Sequence, residues 1–285
     1  MPQSYPIGLA VILGLLAGAC GDDMSPANQV VDLRVLAIRA DPPEVKAPED
    51  DGFAITTVDA LVVGGEGEIS QTWALCFIPG PVVNGMMCLD PEAEVALGEG
   101  QTATIPVPSP SLLLSQAPPE FQGFEIDLSE GVQVQVQLDV SDETGRALTA
   151  LKQVTVSDRE VSNTNPVLEG ISFNETLWEE GQVVPLNQAV EEVEIVPQWD
   201  AITQEAYNDQ GVEVVESLLF SWFIDDPASE LTKQRSSDVA PGNVFSPGEL
   251  VEGETERLVT LWLVARDDRG GVTWLSRQLR IVQGE

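Results

Sequence analysis

Apolar and polar residues alternate with a period of two along much of this chain. In Val132-Gln-Val-Gln-Val-Gln-Leu-Asp-Val140, the residues Val132, Val134, Val136, Leu138 and Val140 share one face, and Gln133, Gln135, Gln137 and Asp139 the other. Side chains on a strand point alternately to its two sides, so this is the pattern of a half-buried antiparallel strand. Similar strands are expected at 31–39, 56–63, 70–77, 102–107 and 147–156, then at 168–173, 193–198, 214–224, 255–265 and 272–282. The segments between them are rich in Pro, Gly, Asp and Ser, and no amphipathic helix stands out. Many short strands punctuated by turn formers predict an all-β chain built of β-sandwiches.

The pattern also repeats. Val136-Gln-Leu-Asp-Val140-Ser-Asp142-Glu-Thr-Gly145 lies over Leu261-Trp-Leu-Val-Ala265-Arg-Asp267-Asp-Arg-Gly270, each an alternating strand running into an acidic turn and a last strand. Upstream, Trp73 in Thr72-Trp-Ala-Leu matches Trp222 in Ser221-Trp-Phe-Ile. Two copies of one sandwich explain this better than one large domain. The expected division is a first sandwich over 30–157, a linker over 158–166 and a second sandwich over 167–285. The first copy carries additional chain over 79–121, including a Pro-rich run.

Residues 7–19 are apolar and uncharged, too short to span a bilayer, which takes about 20 such residues. They have the length of a signal-peptide core and end in small residues followed by Cys20. Ala17-Gly18-Ala19-Cys20 resembles the lipobox of bacterial lipoproteins, with Ala17 where Leu is usual. The resemblance implies a signal peptide over 1–19, acylation (palmitate) of Cys20 and a polar tether over 20–29, so that the protein is anchored to a membrane rather than spanning it. Gly21 after the cysteine implies sorting to the outer membrane.

Composition narrows the functional classes. Thirteen basic against 47 acidic residues give a net charge of −34, which repels nucleic acid. The 43% hydrophobic content is enough to build cores, so the acidity is not that of a disordered tail. There is no histidine, which removes the side chain most used for proton transfer near neutral pH. The expectation is therefore a protein that is not an enzyme. Beyond Cys20 stand Cys76 and Cys88, with Pro79-Gly80 and Asn84-Gly85 able to turn the chain between them. In an exported chain such a pair is expected to close as a disulfide; two free thiols or half of a metal site are the alternatives.

Trp73, Trp222 and the hairpins at 142–145 and 267–271 together resemble immunoglobulin-like domains of the PKD-like or cadherin-like kind found in bacterial surface proteins. The opening of the mature chain, 33–44, is similar to lipoproteins of myxobacteria and their relatives. The resemblance implies two immunoglobulin-like sandwiches in tandem on the cell envelope. It also implies calcium as the one candidate cofactor, since cadherin-like modules bind it with clustered carboxylates. The weak candidates are Asp142, Asp225, Asp226, Asp267 and Asp268, with Glu143, Asp158 and Glu160 beside them; calcium wants six to eight oxygens. The alternative is that these acids are solvated and that the Asp-Gly hairpins turn for backbone reasons alone. The first function is a non-catalytic surface or structural module binding a protein or glycan; the alternatives are an accessory or catalytic envelope protein with a site in the 79–121 insert and a calcium-dependent adhesion module.

Overall fold

The computed structural model describes residues 26–48, 52–77, 88, 91–116, 127–129, 131–190, 192–209 and 211–284. The leader, Cys20 and much of the 79–121 insert lie outside these residues. The first half of the chain forms β1 (Arg34–Asp41), β2 (Glu44–Lys46), β3 (Phe53–Val63), β4 (Ser70–Cys76), β5 (Val95–Glu99), β6 (Thr102–Pro108), a short helix α1 (Pro110–Gln116), β7 (Val132–Ser141) and β8 (Ala147–Ser157). The second half forms β9 (Leu168–Phe173), β10 (Thr176–Trp178), β11 (Val183–Asn187), β12 (Val193–Trp199), β13 (Ala206–Asp209), β14 (Val212–Val215) and β15 (Leu219–Ile224). It ends with β16 (Glu230–Leu231), β17 (Arg235–Ser237), β18 (Asn243–Ser246), β19 (Glu256–Arg266) and β20 (Val272–Val282).

Both halves are built to one plan. The order β2-β8-β7-β4-β5 in the first is matched by β11-β20-β19-β15-β17 in the second. In each sheet the last two strands form a long antiparallel hairpin, and a short early strand pairs in parallel with the last one. The facing sheets are β1-β3-β6 and β10-β9-β12-β18-β16. Two sheets closed over one core, with a parallel early strand among antiparallel ones, make each half an immunoglobulin-like sandwich.

The period-two pattern is what fills the cores. Val134, Val136, Leu138 and Val140 of β7 pack with Ile38, Val58, Ile105 and Val107 from the facing sheet. Trp73 and Trp222 occupy equivalent central strands, β4 and β15, and both are buried. A buried indole still needs a partner for its N–H. Trp73 donates to the Gly100 carbonyl at 2.8 Å, and Trp222 to the Ser236 hydroxyl at 2.9 Å.

One expectation differs from what is seen. The run expected as one strand over 214–224 is broken at 216–218: β14 turns back on β13 as a separate hairpin, and β15 begins at Leu219. The break places the Glu216 carboxyl and the Leu218 side chain in buried positions. The segment 158–166, polar enough to read as a linker, runs through the contact between the sandwiches, and Asn163 in it is wholly buried.

Cys76 and Cys88 form a disulfide, with Cα atoms 5.4 Å apart. It packs under Ala74 on the outer face of β4. Closing so short a loop contributes about 3 kcal/mol in the chain-entropy account. Replacing both cysteines with serine is expected to lower stability by about that amount. Hydrogen exchange should locate the loss: faster exchange in β4 and β7, with protection kept in β19 and β20.

Candidate functional site

The chemistry of this protein converges where the two sandwiches meet. The tip of the β19–β20 hairpin projects towards the first sandwich and carries Asp267, Asp268 and Arg269. The turn is fixed locally: Asp267 Oδ1 accepts from the backbone N–H of Arg269 at 2.9 Å and of Gly271 at 2.7 Å. Gly271 has no substitute here, because a Cβ would lie 2.0 Å from Asp267 Oδ2 and 2.8 Å from the Thr164 carbonyl oxygen. The corresponding turn of the first sandwich is the same device. Asp142 Oδ1 accepts from the backbone N–H of Thr144 at 3.0 Å and of Arg146 at 3.1 Å.

The two turns diverge at one position. Thr144 folds its hydroxyl back onto Asp142 at 2.6 Å. Arg269, its counterpart, reaches across to Glu44 of the first sandwich, and also binds Glu216 at 3.2 Å and Glu205 at 3.4 Å. Its guanidinium lies 4.9 Å from the centre of the Tyr207 ring. The side chains of Arg269, Glu44 and Glu216 are 5%, 1% and 1% exposed, so this charge cluster is cut off from water. Glu44 also accepts from the Ser157 hydroxyl at 2.5 Å, the Asn163 backbone N–H at 2.8 Å and Arg159 at 3.2 Å.

The electrostatics follow from this packing. Burial pushes the Glu44 carboxyl up, but Ser157, Asn163 and the charges of Arg269 and Arg159 together hold it below the usual carboxylate range. For Glu216 burial wins. Helped by the charges of Asp267 and Glu205, it raises the carboxyl to about 7 against the pull of the Glu205 N–H and Arg269. Burial also raises Asp267 and lowers the Lys152 ammonium to about 8.

Around the hub the contact is both polar and apolar. Leu36, Ala37 and Val63 of the first sandwich pack on Val264 and Val272 of the second, with Val30 joining them. Arg39 pairs with Asp59 through two hydrogen bonds, 2.8 and 3.0 Å, and lies over Trp274 of the other sandwich at 4.7 Å. Arg266 donates to the Leu36 carbonyl at 2.7 Å. Asn165 ties the Ala40 carbonyl to the Val272 N–H, at 2.8 and 2.9 Å. The N-terminal segment contributes too. Of the tether expected over 20–29, the described part lies against the second sandwich, where Asn28 and Val30 bond to Ile224 at 2.9 and 2.7 Å.

The five acids singled out from the sequence do not come together. Asp142 and Asp226 are buried rather than solvated. Asp142 is engaged as above, and the Thr144 hydroxyl first among its donors holds its carboxyl below the usual range. Asp226 accepts from the Ala228 N–H and the Ser229 hydroxyl and faces Arg257 at 3.4 Å. Asp225 accepts from the Thr260 N–H at 2.7 Å, and Asp268 from Ser217. Among the described residues no three His, Cys, Asp or Glu side chains are grouped as a metal would need. The described parts of the 79–121 insert extend the sheets: β5 pairs with β4 and β6 with β3. Sequence reasoning missed Glu44, Glu205, Glu216 and Arg269. The only sequence signal was the Arg at the position where the first copy has Thr144.

No protein-family model matches the chain, and neither does any curated protein sequence. Among solved structures it is similar to murine CEACAM1b, at 13% identity and a TM-score of 0.25 over 88% of this chain and 100% of that one. It is also similar to a Ca2+-stabilized adhesin with which an Antarctic bacterium binds ice (13%, 0.24, 92% and 50% of the two chains). A third is a protein of unknown function from Porphyromonas gingivalis W83 (11%, 0.23, 86% and 99%). Superpositions this loose carry no argument about what the chain binds.

Two outcomes are expected from the hub. Arg269→Met leaves Glu44 and Glu216 buried without their cation and should cost about 3–5 kcal/mol. Small-angle scattering should show the two sandwiches losing their fixed arrangement. The second outcome is a pH dependence. Glu216 holds its proton more tightly folded than unfolded, so its contribution is full below about pH 4.5 and is lost as pH rises through about 7. Glu44 acts in the opposite sense, its contribution being lost as pH falls below its unfolded value of about 4.5. Thermal melts should therefore show highest stability near pH 4.5, and Glu216→Gln should flatten the decline between about pH 4.5 and 7.

Proposed function

We propose that this chain is a lipid-anchored protein of the cell envelope whose two sandwiches act as a single rigid, non-catalytic module that binds a partner through its surface. The observation that carries this reading is the bridge from Arg269 to Glu44. Glu44 and Glu216, the most buried carboxylates among the described residues, both face Arg269, and the bridge joins the sandwiches. Groups that do acid–base chemistry must face a substrate; here the carboxylates of Glu44 and Glu216 are turned onto Arg269 in the contact. The tandem arrangement, fixed in this way, presents loops and sheet faces of both sandwiches in a constant geometry, which lowers the entropic cost of binding across them.

Anchoring follows from the resemblance at 17–20 together with the route of the chain. No helix among the described residues is long and apolar enough to cross a membrane. Cys20 precedes Pro26 by six residues, a reach of about 20 Å at full extension. From Asn28 onward the chain is held against β15, beside the contact between the sandwiches. An acyl group on Cys20 would then hold the molecule by its waist, with both sandwiches close to the bilayer. The expected outcome is that Cys20→Ser abolishes incorporation of labelled palmitate and moves the protein to the soluble fraction. Retention of the variant in membranes through residues 1–19 would overturn the anchor.

A further inference from the structure

Beside the hub, a groove of about 750 Å3 runs between the outer face of the β7–β8 hairpin and the tip of the β19–β20 hairpin. Strand register sets its floor. Gln133 lies across from Thr155 and Gln135 across from Gln153, so two cross-strand pairs of uncharged polar side chains face the groove. Further along the same face Gln137, Asp139 and Thr149 bond to one another. The four groove side chains do not: none has a hydrogen-bonding side-chain partner among the described residues. Gln135 is the sharpest case. It is 5% exposed, and its Nε2 is buried with no acceptor. An amide so placed is unfavourable unless something completes it, and its last torsion is broad enough to turn the nitrogen into the groove.

We propose that this groove is a binding site for an oligosaccharide. This rests on the reading of the chain as a surface-binding module, and it names the class of ligand. The lining excludes the alternatives by its chemistry. The charges at the groove are Lys152, Arg159 and Arg269 against Asp267 and Asp268, and each is engaged within the protein, Arg159 and Arg269 on Glu44. A strongly anionic or cationic ligand therefore finds no uncompensated counter-charge. Apart from Leu151 and Tyr207 there is no apolar anchor of the kind that captures a peptide side chain or an acyl chain. What remains is a row of amides and a hydroxyl, each able to donate and to accept, with the Tyr207 ring, one face of which carries the Arg269 guanidinium, in the same lining. Sugar hydroxyls offer donors and acceptors in the same alternation, and the C–H face of a pyranose suits an aromatic ring. The volume falls in the range of small-ligand sites.

The test is titration of the full chain, from whichever fraction holds it, with hexasaccharides of glucose, mannose, galactose and N-acetylglucosamine. Performing it on both fractions keeps it independent of the anchor. At least one sugar is expected to bind, with an affinity that is the same at low and high salt because no net charge is neutralised. Gln135→Leu and Gln153→Leu should each weaken binding about tenfold. Gln135→Leu should at the same time leave the melting temperature unchanged or raised, since it removes a buried amide that lacks a partner. No binding below about 1 mM by any of the four sugars would overturn the proposal. So would binding indifferent to both substitutions, or a set of neutral decapeptides that bind where the sugars do not.

Discussion

A single guanidinium holds the two halves of this molecule in register. Arg269 sits at the tip of a hairpin whose own turn is closed by Asp267, so the backbone delivers the side chain with little freedom. Removing such a charge from water is costly, and the attraction of one carboxylate in the interior does not always offset it. Here three carboxylates and the Val161 carbonyl surround it. One of the three, Glu44, is itself completed by Ser157, Asn163 and Arg159. The arrangement is directional in a way that apolar packing is not. The Leu36–Val264–Val272 patch beside it supplies burial, while the hub specifies one relative placement of the sandwiches.

The same constraint explains why 158–166 is not a free linker. Asn163 gives its backbone N–H to Glu44 and its side-chain amide to Asp267, and Asn165 bridges Ala40 and Val272. Each asparagine joins one sandwich to the other, Asn165 through its side chain alone and Asn163 through its backbone N–H and its side chain together. A run such as Ser-Asn-Thr-Asn-Pro reads as linker because these residues favour turns and water. Their hydrogen-bonding capacity serves equally well inside an interface, and composition alone does not distinguish the two uses.

What was legible in the sequence was whatever one strand records by itself. Alternation in 132–140 gives β7 and its inward face, and the overlay of 136–145 on 261–270 gives two equivalent hairpins with the same aspartate turn. Trp73 and Trp222 mark equivalent central strands. Strands of two or three residues, such as β2, β16 and β17, leave no periodic trace and exist because a neighbour's edge pairs with them. The interruption at 216–218 was hidden because Val, Glu, Ser and Leu continue an acceptable strand pattern. It is a buried contact to Arg269, fifty-three residues away, that decides the local structure there. The hub was illegible for the same reason: four ordinary charged residues acquire meaning only through where the fold brings them.

The net charge of −34 falls on the outside of this protein, because the buried acids Glu44, Asp142, Glu216 and Asp226 are about matched by cations that also face inward. Several of its few cations face inward or into the contact between the sandwiches. Arg277 is buried and donates to the Trp178 carbonyl, Arg266 reaches Leu36, Arg269 fills the hub, and Lys152 meets Gly270. The cations thus hold the architecture together, and the surface they leave behind is carboxylates with few partners. Such a surface keeps copies of the chain apart and repels anionic headgroups and nucleic acid. A groove at the waist in which charge is balanced, floored by amides, is therefore chemically unlike the rest of the exterior. The neutral ligand proposed for it would meet the protein there without crossing a field of like charge, because the same cations that fix the sandwiches also neutralise its walls.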